Sequence, residues 1–460
     1  MTQSISAKKL LSYFFPELIT VGLLYIGLEI INFRFLACTN IELCNATLFI
    51  SNSVFHLMTK IAEGFSVGVV IMAGQYHGAG EYDNTGRVLA EAFWVTALVG
   101  ACISLAIYVS APTIYAFYEV PPEIITLGVP YLRTRSLAVF FSFIYFALIG
   151  FFRGIKNPAI PMVIFLLGAA VYLFFDYALI FGVWGFPELG LQGSAFATVI
   201  QFGVMLAAAL GYLFLSPAMK VYRASFFVPL RLSTLRNLIR LSWPVMIDKA
   251  SFALCPIWLN KMIGLTAKLT TAAEGKMMYD SFTVLKTMEQ VGILPALAFA
   301  QVITYLVSND YKIAHFTHIK KNIKKVLYIA AIFTGLFTLM FCLNPLLFLT
   351  MLNKPNAYHN FIAYTLPLIA LLITFDVLQL ILAAALRGAS DVKTVMITRV
   401  AVVALFFIPL VYAIAQLPIN NIFLKFLLLY GSTHLSYALM ALVYTIRFKT
   451  GQWKKQQLPE

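Results

Sequence analysis

Charge is what the 460-residue sequence most lacks: 11% of its residues are Asp, Glu, Lys or Arg, while 61% are hydrophobic. A water-soluble chain carries about a quarter charged residues and about half apolar ones, so water is excluded as the main solvent. Cysteine is equally sparse. The five copies (Cys38, Cys44, Cys102, Cys255, Cys342) show neither a CxxC pair nor zinc-ligand spacing, which removes a metal site and a disulfide scaffold from consideration. Cys38 and Cys44 could pair only if their loop faces an oxidising space. Also missing are the GxxxxGKS/T loop that cradles nucleotide phosphates, the HExxH zinc motif and the GxSxG elbow. Work driven by ATP hydrolysis on this chain, and the activities of an enzyme, are not expected. The polar first ten residues run into an apolar stretch with no small-residue cleavage site, so no removable signal peptide is expected.

Apolar stretches, by contrast, recur along the whole chain. A bilayer core about 30 Å thick needs about 20 mostly apolar residues per helix, and runs bounded by Gly, Pro, Asn and charge clusters meet that test near 11–37, 46–75, 88–113, 127–152, 158–182, 191–215, 240–265, 280–306, 326–350, 358–386, 393–415 and 421–446. The expected fold class is therefore an all-α polytopic membrane protein of about twelve transmembrane helices. With the amino end inside, Lys and Arg favour the inner segments by about five to one, and the outer loops hold only Lys261, Lys268, Lys276 and Lys354. Both termini are expected in the cytoplasm. That topology accounts for the net charge of +14 without a nucleic-acid partner.

The longest polar segment, 216–239, is basic and stands between six spans and six. It divides the chain into an N-terminal six-helix lobe over 1–220 and a C-terminal six-helix lobe over 221–460. Each lobe carries a similar signature after its fourth span: LIGFFRGIKNP ends at Pro158 and LAAALRGASDVK ends at Lys393, which puts Arg153-Gly154 and Arg387-Gly388 in matching places. Internal repeats of this kind build many secondary transporters, with the binding site near the membrane midplane.

Ionisable groups inside apolar spans each cost several kcal/mol unless paired, neutralised or wetted, and are the functional candidates by default. Span 1 carries Glu17 near the inner interface, where solvation is easy, and Glu29 with Asn32 on the same helical face. Glu29 is either a cation-binding carboxylate facing a cleft or an ion pair with Arg34 or Lys60. In span 2, His56, Lys60 and Glu63 fall on one stripe, as a proton relay or as a self-satisfied structural cluster. Asp176, in VYLFFDYALIFG of span 5, is a lone acid among Phe and Leu. Asp376, in LLITFDVLQLILAAALRG of span 10, is similarly placed, with Gln379 one turn on. Desolvation favours the neutral form of such carboxylates, which suits proton coupling. Asp248 and Lys249 are neighbours in sequence and need separate partners, Lys286 and Glu289 are spaced as a pair, and His434 has no evident acidic partner.

These residues resemble the multidrug and toxic compound extrusion (MATE) transporters of the multidrug, oligosaccharide-lipid and polysaccharide exporter superfamily. The matching strings are GQYHGAG at 74–80, YLRTR at 131–135, RGIKNP at 153–158, DYALIFGVWGFPELGLQGSAFAT at 176–198 and DVLQLILAAALRGASDVK at 376–393. The resemblance implies a two-lobed exporter of organic, often cationic compounds that takes up protons or sodium ions in exchange, works alone as a monomer, and needs no cofactor beyond the coupling ion. It places the family's carboxylates on Asp176 and Asp376. The family's acid in span 1 falls on Asn32, and the Asn one turn before the span 5 acid falls on Tyr172, so the amino lobe departs from the pattern and Glu29 is the nearest substitute.

The expectation is thus a secondary antiporter of the bacterial inner membrane, with two lobes rocking around a cleft lined by Glu29, Asn32, Asp176, Asp376 and Gln379. His56, Lys60, Glu63 and Asp248 are secondary candidates. A flippase for lipid-linked precursors, which wants cations facing its cavity, is kept in view by Lys60, Lys249, Lys286 and Arg399. A receptor or scaffold gives no reason for midplane carboxylates repeated in both lobes. The topology is checked by cysteine labelling from outside intact cells: single cysteines at 216–239 and 307–325 should stay unlabelled, and ready labelling would overturn the map.

Overall fold

The computed structural model describes residues 5–23, 42–118, 120–223, 226, 231–268, 272–345, 360–419 and 421–455. Glu29 and Asn32, with Arg34 and Cys38, lie outside the described residues. In chain order the helices are α1 (Ala7–Gly22), α2 (Glu42–Gly78), α3 (Tyr82–Phe117), α4 (Pro122–Gly154), α5 (Ala159–Phe181), α6 (Leu191–Leu215), α7 (Leu232–Lys268), α8 (Ala272–Gly292), α9 (Leu294–Tyr311), α10 (Phe316–Leu343), α11 (Asn360–Gly388), α12 (Val392–Gln416) and α13 (Ile422–Thr450). Among the described residues nine helices are long and apolar enough to cross a membrane, and the bent pair α8–α9 makes a tenth. With α1 and α7 the chain is an all-α polytopic membrane protein of about twelve spans, six in each half.

One expected span is not straight. The stretch 280–306 breaks between Gly292 and Leu294, where the axis turns by 41°. Pro295 has no N–H to donate to the preceding turn and its ring crowds the carbonyl four residues back, while Gly292 adds no side-chain constraint. Elsewhere the helix ends follow local chemistry. α4 opens on a proline, whose missing N–H has no intrahelical partner there anyway. The Asn421 side chain accepts a bond of 3.1 Å from the Leu424 N–H to cap α13.

The chain packs as two compact units. One takes Phe15–Ile247 together with Ser308–Ala314; the other takes Asp248–Val307 and His315–Gln457 with the chain's beginning through Phe14. The division falls inside α7 and not in the basic linker before it. In the first unit α4 is the central helix, with 83% of its most apolar window buried, against 22% for α3 at the periphery. The 308–314 segment is tied into that unit by Asn309, whose Nδ2 donates to the Gly154 carbonyl at 2.8 Å, and by Lys312, which bonds Glu81 at 2.6 Å and lies over the Tyr76 ring. The Lys312 hydrogen bond holds the Glu81 carboxyl below the usual carboxylate range. In the second unit Phe14 stacks on Phe299 with ring centroids 4.0 Å apart.

The repeated Arg-Gly pairs do the same physical work in both units. In the first, Arg153 grips Glu17 of α1 through two parallel bonds of 2.9 and 2.7 Å. In the second, Arg387 Nη2 bonds Asp248 of α7 at 2.8 Å. Glu17, expected in a wetted position, is 1% exposed; the bidentate guanidinium replaces the missing water. The chain then leaves both helices alike, with positive φ at Lys156 (59°) and Ser390 (63°) and with the following N–H returned to the Phe152 and Leu386 carbonyls. Each glycine sits where a neighbouring helix comes close. A methyl on Gly154 would lie 3.0 Å from Ala73 Cβ and 3.1 and 3.2 Å from the Gly74 and Val70 backbones, tight contacts that a shift of a few tenths of an ångström relieves; one on Gly388 would lie 2.5 Å from the Thr304 carbonyl oxygen, which requires a larger backbone movement.

That difference gives an ordering. Gly388→Ala should destabilise the protein by about 1–3 kcal/mol, as overpacking does, and Gly154→Ala by less. Thermal unfolding of the purified variants in detergent checks it, and equal or reversed losses would refute the account of these two contacts.

Candidate functional site

The second unit gathers charge in its interior. α11 contributes the buried Asp376, Gln379 and Arg387, α8 the buried Glu289 and the partly buried Lys286, α7 the buried Asp248, α12 the buried Arg399, and α13 the buried Tyr430 and His434. Two networks result.

The first is centred on Asp248, which is 1% exposed. Its two oxygens accept from Arg387 Nη2 at 2.8 Å and from Arg399 Nε, a pair in close contact. Arg399 also donates to Gln379 Oε1 at 3.3 Å and lies over the Phe252 ring. Asp248 is thereby filled by two guanidinium groups, which makes it a structural carboxylate. The group carries one excess positive charge.

The second network is centred on Asp376 and His434, both fully buried. His434 Nδ1 lies 3.1 Å from Asp376 Oδ1. Glu289 stands beside them, bonded by Lys286 Nζ at 3.2 Å and by the Tyr430 hydroxyl. This group carries one excess negative charge while His434 is neutral, so the formal charges of the two networks offset one another. Asp376 Oδ2 and His434 Nε2 have no hydrogen-bond partner among the described residues, nor does Gln379 Nε2. Burying such an atom unpaired costs about 1–3 kcal/mol, and here two of them belong to one bonded pair.

Glu289, Asp376 and His434 each bring one N or O atom within 4.8 Å of the others. The set does not fit a resident divalent metal. Glu289 is already taken by Lys286 and Tyr430, and a doubly charged ion would stand next to the Lys286 ammonium in an interior that screens charge poorly. What the arrangement can do is take up a single positive charge at the one carboxylate that lacks a permanent cation.

The first unit is built differently. Asp176 is fully buried on α5, within electrostatic reach of Tyr131 and Tyr172, whose phenols both share hydrogen bonds with Ser194. Arg135, of YLRTR, donates to Tyr131 at 3.3 Å and to Asn52, and covers the Phe55 ring at 4.3 Å. Farther along α2, Lys60 pairs with Glu63 at 3.2 Å, and His56 is exposed.

Several expectations change accordingly. Asp376 is not a lone carboxylate, and His434, which in sequence had no acidic partner, is its hydrogen-bond partner 58 positions away. The spacing of Lys286 and Glu289 is realised as an ion pair, and it is the one pairing in this cluster that the sequence signalled. Arg399 stood in the sequence as a candidate cavity cation, not as a partner of Asp248, and nothing local announced Tyr430.

The MatE family profile matches residues 46–178 and 275–413. A probable multidrug resistance protein NorM of Rhizobium meliloti is 26% identical over 366 residues, covering 76% of this chain and 75% of its own length. The multidrug resistance protein PmpM of Pseudomonas aeruginosa is 28% identical over 180 residues, or 39% of this chain and 37% of its own. Among solved structures, a mutant of the Vibrio cholerae MATE transporter VcmN superposes with a TM-score of 0.86 at 16% identity, covering 98% of both chains.

The role of Asp248 is testable apart from transport. Asp248→Asn leaves two buried guanidinium groups without a carboxylate and should cost about 3–5 kcal/mol, the loss typical of breaking a buried pair. Thermal unfolding in detergent reads this directly; a stability near that of the unmodified protein would mean that the arginines have other counter-charges.

Proposed function

Because the chain belongs to the MatE family, we propose that it is a multidrug efflux transporter which exports organic, cationic and amphipathic compounds in exchange for protons or sodium ions by alternating access. It works in the bacterial inner membrane, as a single chain, with both termini in the cytoplasm. The observation that carries the coupling role is the buried Asp376–His434 pair, whose two remaining polar atoms are unpartnered. A transporter needs a group that can be charged or neutral at modest cost, and a carboxylate without a permanent cation is such a group.

The departures in the amino lobe support placing the coupling site in the second unit. The family's span 1 acid falls on Asn32 and its span 5 Asn on Tyr172, although its span 5 acid is retained as Asp176; the span 10 acid is retained as Asp376 and has further ionisable groups beside it. The flippase alternative loses support from the same pairings. Lys60, Lys286 and Arg399 are engaged by Glu63, Glu289 and Asp248, so they are not cations held ready for a phosphate.

Reconstituted protein supplies the test. Under an imposed proton or sodium gradient, vesicles should move a fluorescent organic cation, and Asp376→Asn should lower that movement at least tenfold while expression and unfolding temperature stay near normal. The amide keeps the shape and removes the charge. Unchanged transport by the variant would remove Asp376 from coupling, and no movement under either gradient would overturn the exporter assignment.

A further inference from the structure

Resting on the exporter reading, we propose that the coupling ion is the proton, carried by the Asp376–His434 pair, and that Lys286 and Tyr430 exclude sodium by occupying Glu289.

A sodium ion and a proton bring the same charge, so charge alone cannot choose between them. The donor atoms can. Hard cations are held by a shell of about six oxygens or more from carboxylates, carbonyls and waters. In this cluster Asp248 is filled by Arg387 and Arg399, and Glu289 by the Lys286 ammonium and the Tyr430 hydroxyl. Asp376 Oδ1 already faces His434 Nδ1. Among the described residues, what remains open in the pair is one carboxylate oxygen, Asp376 Oδ2, and one imidazole nitrogen, His434 Nε2. Imidazole is a ligand for transition metals and a poor one for hard cations. An alkali ion entering here would lose most of its hydration shell for two donors, and would stand beside Lys286.

A proton needs one lone pair, and the pair offers it two ends. On Asp376 it neutralises the carboxylate; on His434 it makes an imidazolium hydrogen-bonded to that carboxylate. The charged and titratable groups facing the pair are Lys286 and Glu289 from α8 and Tyr430 and Tyr437 from α13, with Arg399 of α12 behind Tyr437. Lys286 and Arg399 are held by their own carboxylates, and phenols do not ionise near neutral pH. The exchangeable proton is left to Asp376 and His434.

The test uses full-length protein in vesicles loaded with a fluorescent organic cation, driven either by a pH gradient in sodium-free buffer or by a sodium gradient at uniform pH. The pH gradient should accelerate movement at least tenfold over no gradient, and the sodium gradient less than twofold. Movement driven by sodium alone would overturn the inference and leave the exporter reading standing; movement under neither would overturn both. His434→Gln should displace the pH profile of proton-driven transport by half a unit or more, and an unshifted profile would remove His434 from the pair. Lys286→Gln frees Glu289 and should raise the response to a sodium gradient at least threefold; no rise in a folded variant would show that Lys286 is not what excludes sodium. Should that variant fail to fold, the wild-type comparison of the two gradients decides the matter by itself.

Discussion

An apolar interior tolerates charge only in pairs, and that constraint organises both units. In each, an acid on the first helix of the half receives an arginine from the end of the fourth: Glu17 with Arg153, Asp248 with Arg387. Breaking such a pair by removing one partner leaves an ion stranded where water cannot reach it. The bond therefore fixes the angle at which the fourth helix meets the first, and the glycine that follows lets a neighbouring helix come close at that level. The turn out of the helix is then forced into the same left-handed residue three positions after the arginine in both halves.

On this shared frame the halves have diverged in what they bury. In the first unit Asp176 lies within electrostatic reach of the Tyr131 and Tyr172 phenols, which themselves meet Ser194 and the Arg135 guanidinium. The second surrounds Asp376 with a histidine, a glutamate and a lysine. A phenol donates a hydrogen bond without changing charge at neutral pH, whereas an imidazole changes charge within the physiological range. The two acids, alike in their sequence setting, are thus placed in chemically different surroundings by residues from other helices.

The frame was legible in the sequence because its signals are local. Apolar run length gave the spans, and the Arg-Gly repeat marked the two halves. The bend in the eighth span was not read from the sequence, because hydropathy runs straight through the 41° break before Pro295. The interior of the candidate site was legible only where partners sit one turn apart on a helix, as Lys286 and Glu289 do. His434 and Asp376 are joined across two helices, and Arg399 and Asp248 across 151 positions. A periodicity argument sees one helix face at a time and cannot say which faces meet. Asp248, a secondary candidate because it stands inside an apolar span and needs a partner from another helix, is held by two arginines.

The offset between the two networks of the second unit bears on how ion binding can reach the rest of the protein. Asp248 with its two arginines has one positive charge to spare, and Asp376 with Glu289 and Lys286 has one negative; Gln379, one turn from Asp376 on α11, is bonded to Arg399 of the first network. With His434 neutral the charges of these two networks sum to zero. Any cation loaded at Asp376 cancels the negative charge that balances the excess of Arg399 and Arg387 over Asp248, and leaves that excess uncompensated. At an effective dielectric of about 20, two unit charges about 8 Å apart interact by about 2 kcal/mol. That is comparable with the one-to-three kcal/mol couplings by which binding at one site shifts a conformational equilibrium. The balance is thus close enough to be tipped by one charge, and Arg387, being bonded to α7 and standing at the end of α11, is the group through which the imbalance would act on helix packing.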